Sequence, residues 1–271
     1  MDKNSNTFVM TFAVTMCVVL AVVLAGTFEA LKGRVAANEA FDQQVNVLKA
    51  VGLYDPDGGE TKTATELEKL YADFIQAKVL EVHRGTEMQE IKEAGEVKQV
   101  PVEVVTDMSE VDFGIDELED RRRVELKKPD PAERREFTTF FTRVDEAGKP
   151  VAYCIPIEGL GLWGMIYGYL ALEDDLDTVK GITFYRHKET PGLGGEIDAA
   201  WWKSQWPGKS IFEDGDLVSV TVKKGRVDAS IPKERKHYVD GLSGATITSN
   251  GVTKFVREDL ETYQAYFSKL K

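Results

Sequence analysis

Cysteine and histidine are scarce in this chain. Its 271 residues include two cysteines and three histidines. Cys17 lies in a strongly apolar run and Cys154 in a strand-like one, so the two are not expected to pair. CxxC pairs are absent, and His83, His187 and His237 are far apart, which argues against a structural metal site. Basic residues are also in deficit, with 34 Lys and Arg against 46 Asp and Glu. The net charge is −12 and no basic stripe offsets it. Nucleic-acid binding is thereby excluded, because such affinity rests on cations that neutralise phosphates. No catalytic triad or general base stands out. A hydrophobic content of 42% is enough for a core and excludes wholesale disorder.

What is present begins with a membrane signal. Residues 1–7 form a short tail, and residues 8–26 carry no charge. As a helix at about 1.5 Å per residue, that run spans roughly the hydrocarbon core of a bilayer. It is longer than the apolar part of a secretory signal, so an uncleaved anchor is expected. The flanking charges do not decide its orientation. Residues 35–54 show helical spacing at Phe41, Val45, Leu48 and Val51, with Gly52 as the stop. A second amphipathic helix is predicted over residues 65–77, opened by a Thr65/Glu68 capping box. Residues 79–136 are charged and weakly periodic; an edge strand over residues 100–105 is the one element expected there.

From residue 137 the pattern turns to strands. Residues 137–144 and 151–157 read as a hairpin. Gly159-Leu-Gly-Leu-Trp-Gly164 matches GxGxxG, but an apolar strand-like run follows it where a dinucleotide fingerprint needs a helix. After a strand at residues 182–185 comes Glu189-Thr-Pro-Gly-Leu-Gly194, a loop whose glycines can bring backbone amides close to a ligand. Residues 197–206 read as a short helix whose three tryptophans belong mostly to the core. Residues 217–222 and 227–231 read as a hairpin around Lys224-Gly225. The last helix is expected over residues 250–270, capped by Ser249 or Asn250. Just before it lies Asp240-Gly-Leu-Ser-Gly-Ala-Thr246, rich in small residues and hydroxyls. Free amides near a helix start favour a phosphate there, although a plain turn with an N-cap uses the same residue types.

That last stretch resembles the Asp-x-x-Ser/Thr-Gly-Ala-Thr motif of FMN-binding domains that carry flavin covalently. With the two glycine loops and the single N-terminal span, the chain resembles the NqrC family over nearly its full length. That family is the C component of the Na+-translocating NADH:quinone reductases. The G subunit of the Rnf complex shares the motif and is the alternative; a membrane-tethered interaction protein without cofactor is the alternative of another class. The resemblance implies an α+β fold in which an antiparallel-sheet FMN-binding domain at residues 137–271 has packed helices. A helical and charged part at residues 27–136 precedes it. The resemblance also implies FMN joined to Thr246 by a phosphoester. Ser243, Gly244, Ala245, Thr248, Glu189, Thr190, Gly192, Leu193, Gly194, Leu162, Trp163 and Gly164 would border the cofactor. Asp240, with Ser243, Gly244 and Ala245, would be read by a Mg2+-using flavin transferase. Partners would be that transferase, the membrane and the A, B, D, E and F components of the complex. The setting would be a bacterial inner membrane, with the soluble domain in the periplasm.

Overall fold

In a computed structural model, residues 6–93, 96–130 and 134–271 are described. The chain divides into two compact units, residues 1–44 and 45–271. The first unit is the greater part of α1 (Asn6–Ala50), a helix of 45 residues. It is long and apolar enough to cross a membrane, and its apolar side chains, Val18, Leu20 and Val23 among them, are exposed. The two helices expected over residues 8–26 and 35–54 are one. Gly26 and Gly33 do not break it, because an isolated helical glycine costs only about 1 kcal/mol and no proline intervenes. The expected stop is observed. Gly52 has φ of 69°, its amide donates to Lys49 O at 3.1 Å, and Leu53 N donates to Leu48 O at 2.8 Å. This is a Schellman closure.

In the second unit, α2 (Ala64–Phe74) opens with a capping box two residues earlier than expected. Thr63 Oγ1 accepts from Glu66 N, and Glu66 Oε2 accepts from Thr63 N at 2.7 Å. Ile75 ends the helix because it already pairs with Arg143 in the sheet. That sheet comprises β1 (Ile75–Glu93), β2 (Glu96–Glu110), β3 (Glu136–Val144), β4 (Pro150–Leu160), β5 (Met165–Glu173) and β6 (Val179–Arg186). Its order is β2-β1-β3-β4-β5-β6, antiparallel throughout. The edge strand expected at residues 100–105 lies inside β2, at the sheet's edge. The unexpected part is its length. β1 pairs with β3 only as far as Val82 and thereafter with β2 alone, as a two-stranded ribbon. Most described side chains of this ribbon are exposed, so little of its sequence needs apolar alternation beyond the stretch at residues 100–105. α3 (Ile115–Leu126) follows, with Leu118 packed on Val79 and Phe137.

The remaining elements are short until the last. They are a 3-10 turn at Gly194–Asp198, α4 (Ala200–Lys203), β7 (Phe212–Glu213), β8 (Asp216–Leu217), β9 (Thr221–Val222), α5 (Pro232–His237) and β10 (Tyr238–Val239). Trp202 and Trp206 are fully buried in the core, and Trp201 is exposed. The hairpin expected around Lys224-Gly225 is not formed. β8 pairs with β7, and β9 runs parallel to β10. Ser219 adopts φ of 61°, which breaks the strand-like run, and the Gly225 carbonyl is taken by Gly241 N at 2.8 Å.

Helix α6 (Thr246–Leu270) lies on one face of the sheet. Its Val252, Phe255, Val256, Leu260 and Phe267 share a core cluster with Phe140, Ile155, Ile166 and Leu170. Phe141, Cys154 and Tyr169 face the other way, where Arg143 Nη1 donates to Val51 O at 2.8 Å and Thr183 Oγ1 to Asn46 O at 3.2 Å. Cys154 and Cys17 are both free, and burial pushes the Cys154 thiol well above its usual range, so it is unreactive.

One carboxyl on α6 makes stability depend on pH. Asp259 Oδ2 accepts from Glu158 N at 2.8 Å, but burial, with the Glu158 and Glu258 carboxylates nearby, pushes its pKa up to about 8. The unfolded chain releases this proton near pH 4. Stability is therefore full below that point and falls as pH rises toward 8. An asparagine in its place would keep the acceptor and lose the titration. Asp259→Asn is expected to flatten the profile between pH 4 and 8. Urea unfolding should show it about 2 kcal/mol more stable than the wild type at pH 8, after allowance for screening at this half-buried position.

Candidate functional site

α6 begins at Thr246 itself, where the sequence placed its start at Ser249 or Asn250. The first backbone bond of the helix runs from Ser249 N to Ala245 O at 2.9 Å. The amides of Thr246, Ile247 and Thr248 thus precede any intrahelical partner. The N-cap residue Ala245 offers no side-chain hydrogen bond. Ser249 and Thr248 do not cap because both are buried and engaged elsewhere. Ser249 Oγ accepts from Leu242 N at 3.5 Å, and Thr248 Oγ1 donates to Glu189 Oε2. The result is a 25-residue helix with an uncapped positive end, next to an exposed threonine.

Three segments meet at that end. Glu189 is buried, and its Oε1 accepts from Trp163 N at 2.9 Å while Oε2 accepts from Thr248. A Cβ on Gly161 would lie 2.6 Å from Oε1, and one on Gly194 would lie 2.5 Å from Oε2 and 2.6 Å from Thr248 Oγ1. Both glycines are needed for the carboxylate to fit. Leu193 reaches Gly244, where an ideal Cβ would stand 2.9 Å from Leu193 Cδ2. The 190–195 loop is closed on itself by Thr190 O, which accepts from Leu193 N at 3.1 Å and Gly195 N at 2.9 Å, and by Gly192 N, which donates to Glu196 Oε1 at 3.0 Å. The residues read from the two glycine loops and the threonine motif are therefore neighbours.

Their orientations differ. Thr246, Ser243, Gly244, Leu162, Trp163 and Leu193 are exposed. Ala245 is buried in the core cluster, so its small size serves packing. Asp240 is half-buried. Its Oδ1 accepts from Val227 N at 2.7 Å, its amide donates to Gln205 Oε1 at 2.9 Å, and its carbonyl accepts from Trp202 Nε1 at 2.8 Å. It locks the segment that leads into the motif. Two site residues escaped the sequence reading. Gly161 makes room for Glu189, and it lay inside the GxGxxG run whose dinucleotide reading fails, since β5 follows. Ile247 is 59% exposed beside Thr246 and, with Trp163 at 63%, presents apolar surface at the site. Its signal was an apolar residue on the polar side of an amphipathic helix. Among the described residues there is no group of His, Cys, Asp and Glu able to hold a metal ion.

An uncapped helix end for a phosphate, apolar surface for an aromatic ring and a free hydroxyl suit a flavin mononucleotide. The family model of the FMN-binding domain matches residues 161–261, so this part of the chain is an FMN-binding domain. The more particular assignment comes from full-length relatives. The C subunit of the Na+-translocating NADH-quinone reductase of Pseudomonas aeruginosa is 35% identical over 256 residues, 91% of this chain and 89% of that one. The Yersinia pestis protein of the same name is 33% identical over 232 residues, covering 84% and 78%. The crystal structure of Shewanella oneidensis NqrC superposes with a TM-score of 0.60 at 27% identity, covering 84% of this chain and 95% of that one. That of the Parabacteroides distasonis counterpart gives 0.59 at 26%, covering 88% and 97%. The chain belongs to the NqrC family, the C subunits of Na+-translocating NADH-quinone reductases.

Proposed function

We propose that this chain carries FMN in phosphoester linkage to Thr246 and relays electrons within a Na+-translocating NADH-quinone reductase. The observation that carries the attachment point is the state of the hydroxyls around the start of α6. Thr248 is buried and donates to Glu189, Ser249 is buried and accepts from Leu242 N, and Thr246 is exposed on the first turn beside the unpaired amides. Its Oγ1 can attack the flavin phosphorus of an activated flavin nucleotide. The O–P bond forms as the bond from phosphorus to the leaving nucleotide breaks, and the hydroxyl proton passes to water. The amides of Ile247 and Thr248 and the helix dipole then offset the phosphate charge.

When bound, the flavin supplies electron acceptance and donation, and the protein supplies attachment, orientation and surroundings. Trp163, Leu162, Leu193 and Ile247 offer it apolar surface, and the glycines of residues 190–195 offer close backbone. Asp240, Ser243, Gly244 and Ala245 are the features a maturing flavin transferase would read. α1 is the candidate membrane anchor, and a place in this complex implies other subunits. We assign those partners as the A, B, D, E and F components and the soluble part to the periplasm. Ion movement is left to the other components, because the apolar stretch of α1 carries no carboxylate between residues 8 and 26. Every relative named above bears the reductase name, which favours this complex over Rnf.

The test is intact mass of the full chain produced with the transferase. An increase of one FMN less one water, mapped to the peptide that holds Thr246, is expected. Unmodified chain, or flavin on a peptide without Thr246, would overturn the assignment.

A further inference from the structure

Glu189 is unusual among the acidic residues of this protein. It is buried, has no ion pair among the described residues, and is held by a backbone amide and a hydroxyl. Three segments far apart in sequence converge on it. Trp163 N fixes the turn that enters β5, Thr248 Oγ1 fixes the first turn of α6, and Glu189 itself starts the 190–195 loop. Gly161 and Gly194 lack the side chains that would otherwise occupy its space. Its own amide donates to His187 Nδ1 at 3.3 Å, which orients the backbone for the inward turn.

We propose that Glu189 is the positioning residue for flavin attachment. Its carboxylate binds Trp163 N and Thr248 Oγ1 together, so that Thr246 Oγ1 alone on the first turn of α6 faces the incoming flavin phosphate. This rests on the assignment of Thr246 as acceptor. The carboxylate does not touch the reacting atoms. It withdraws the competing Thr248 hydroxyl and holds the Trp163 turn and the 190–195 loop beside the helix end. A buried carboxylate that accepts two hydrogen bonds is costly to replace by an apolar group, because both donors then lose their partner.

The experiment uses the full chain in detergent with purified flavin transferase and its flavin nucleotide. Wild type, Glu189→Gln, Glu189→Ala and Thr248→Val are compared. Three quantities are read: the initial rate of FMN attachment, the peptide that carries it, and the visible circular dichroism of the attached flavin. Glu189→Ala should slow attachment by about tenfold or more, the effect of losing one or two charge-assisted hydrogen bonds, and should weaken the dichroism. Thr248→Val should act in the same direction but less. Glu189→Gln, which keeps an acceptor, should recover part of both signals. Attachment and dichroism at wild-type levels in Glu189→Ala would overturn the proposal. If that variant does not fold, wild-type behaviour of both Glu189→Gln and Thr248→Val would overturn it instead. Flavin on a wild-type peptide without Thr246 would remove the acceptor assignment and this proposal with it. Wild-type attachment at Thr246, unaffected in all three variants, would remove this proposal alone.

Discussion

Thr246→Leu is expected to abolish covalent flavin. The variant chain, run on a denaturing gel, should show no flavin fluorescence, and its intact mass should equal that of the bare sequence. The reason is chemical, since leucine has no oxygen with which to form the ester. The fold should survive. Thr246 is exposed at the first position of α6, and no side-chain hydrogen bond from a cap depends on it. Surface changes at such positions shift stability by about 0.5 kcal/mol or less. Far-UV circular dichroism and the urea midpoint should therefore match the wild type. Thr246→Ser retains the oxygen and should retain part of the flavin. The neighbouring Thr248 should not take over in Thr246→Leu, because it is buried and its proton is committed to Glu189. Fluorescence persisting in Thr246→Leu would place the linkage elsewhere.

A large loss of stability from a single methyl group is expected at Gly251→Ala. In most helix interiors this substitution gains about 1 kcal/mol of helix propensity. Here the added Cβ would stand 2.3 Å from Leu160 O, the backbone carbonyl at the end of β4. A backbone atom cannot swing aside as a side chain can, so α6 must lift from the sheet. Gly159, on the same strand, is as constrained from the other side, with an ideal Cβ only 2.2 Å from Phe255 Cβ. Overpacking of this kind costs about 3 kcal/mol. Urea unfolding should show a net loss of at least about 2 kcal/mol after the propensity gain is subtracted. Flavin loading should fall with it, because the lifted turn is the one that follows Thr246. Gly33→Ala is the control. An ideal Cβ there has nothing within 4 Å, and stability should hold or rise. Equal behaviour of the two variants would show that the close approach is not what requires glycine.

Much of the architecture was legible where one physical demand acted on a short stretch. The spacing of Val252, Phe255, Val256, Leu260 and Phe267 is that of a helix with one buried face, and α6 has it. The hairpin of β3 and β4 was readable because its strands are rich in aromatic and β-branched residues and a turn separates them. After the GxGxxG run the expected apolar strand is observed as β5, where a dinucleotide fingerprint needs a helix. Other features failed for identifiable reasons. Among the described residues the β1–β2 ribbon beyond Val82 is mostly exposed, so outside residues 100–105 it carries little pattern. The parallel pairing of β9 with β10 joins segments about fifteen residues apart, and a run of Val and Thr does not state its partner.

The sequence by itself determined the apolar span, the helical face of α6, and the threonine motif with its resemblance to covalent flavin carriers. These follow from residue type and local period, which need no knowledge of distant contacts. The tertiary structure alone decided that Thr246 opens the helix. Ser249 looks like a cap until Leu242 N claims its hydroxyl from outside the helix, as Glu189 claims that of Thr248. It also decided that Glu189, 59 residues away from Thr248, closes the site, and that Gly161 and Gly194 exist to admit it. A hydrogen bond between a loop and a helix depends on where the sheet brings them together. Only the packed chain contains that information.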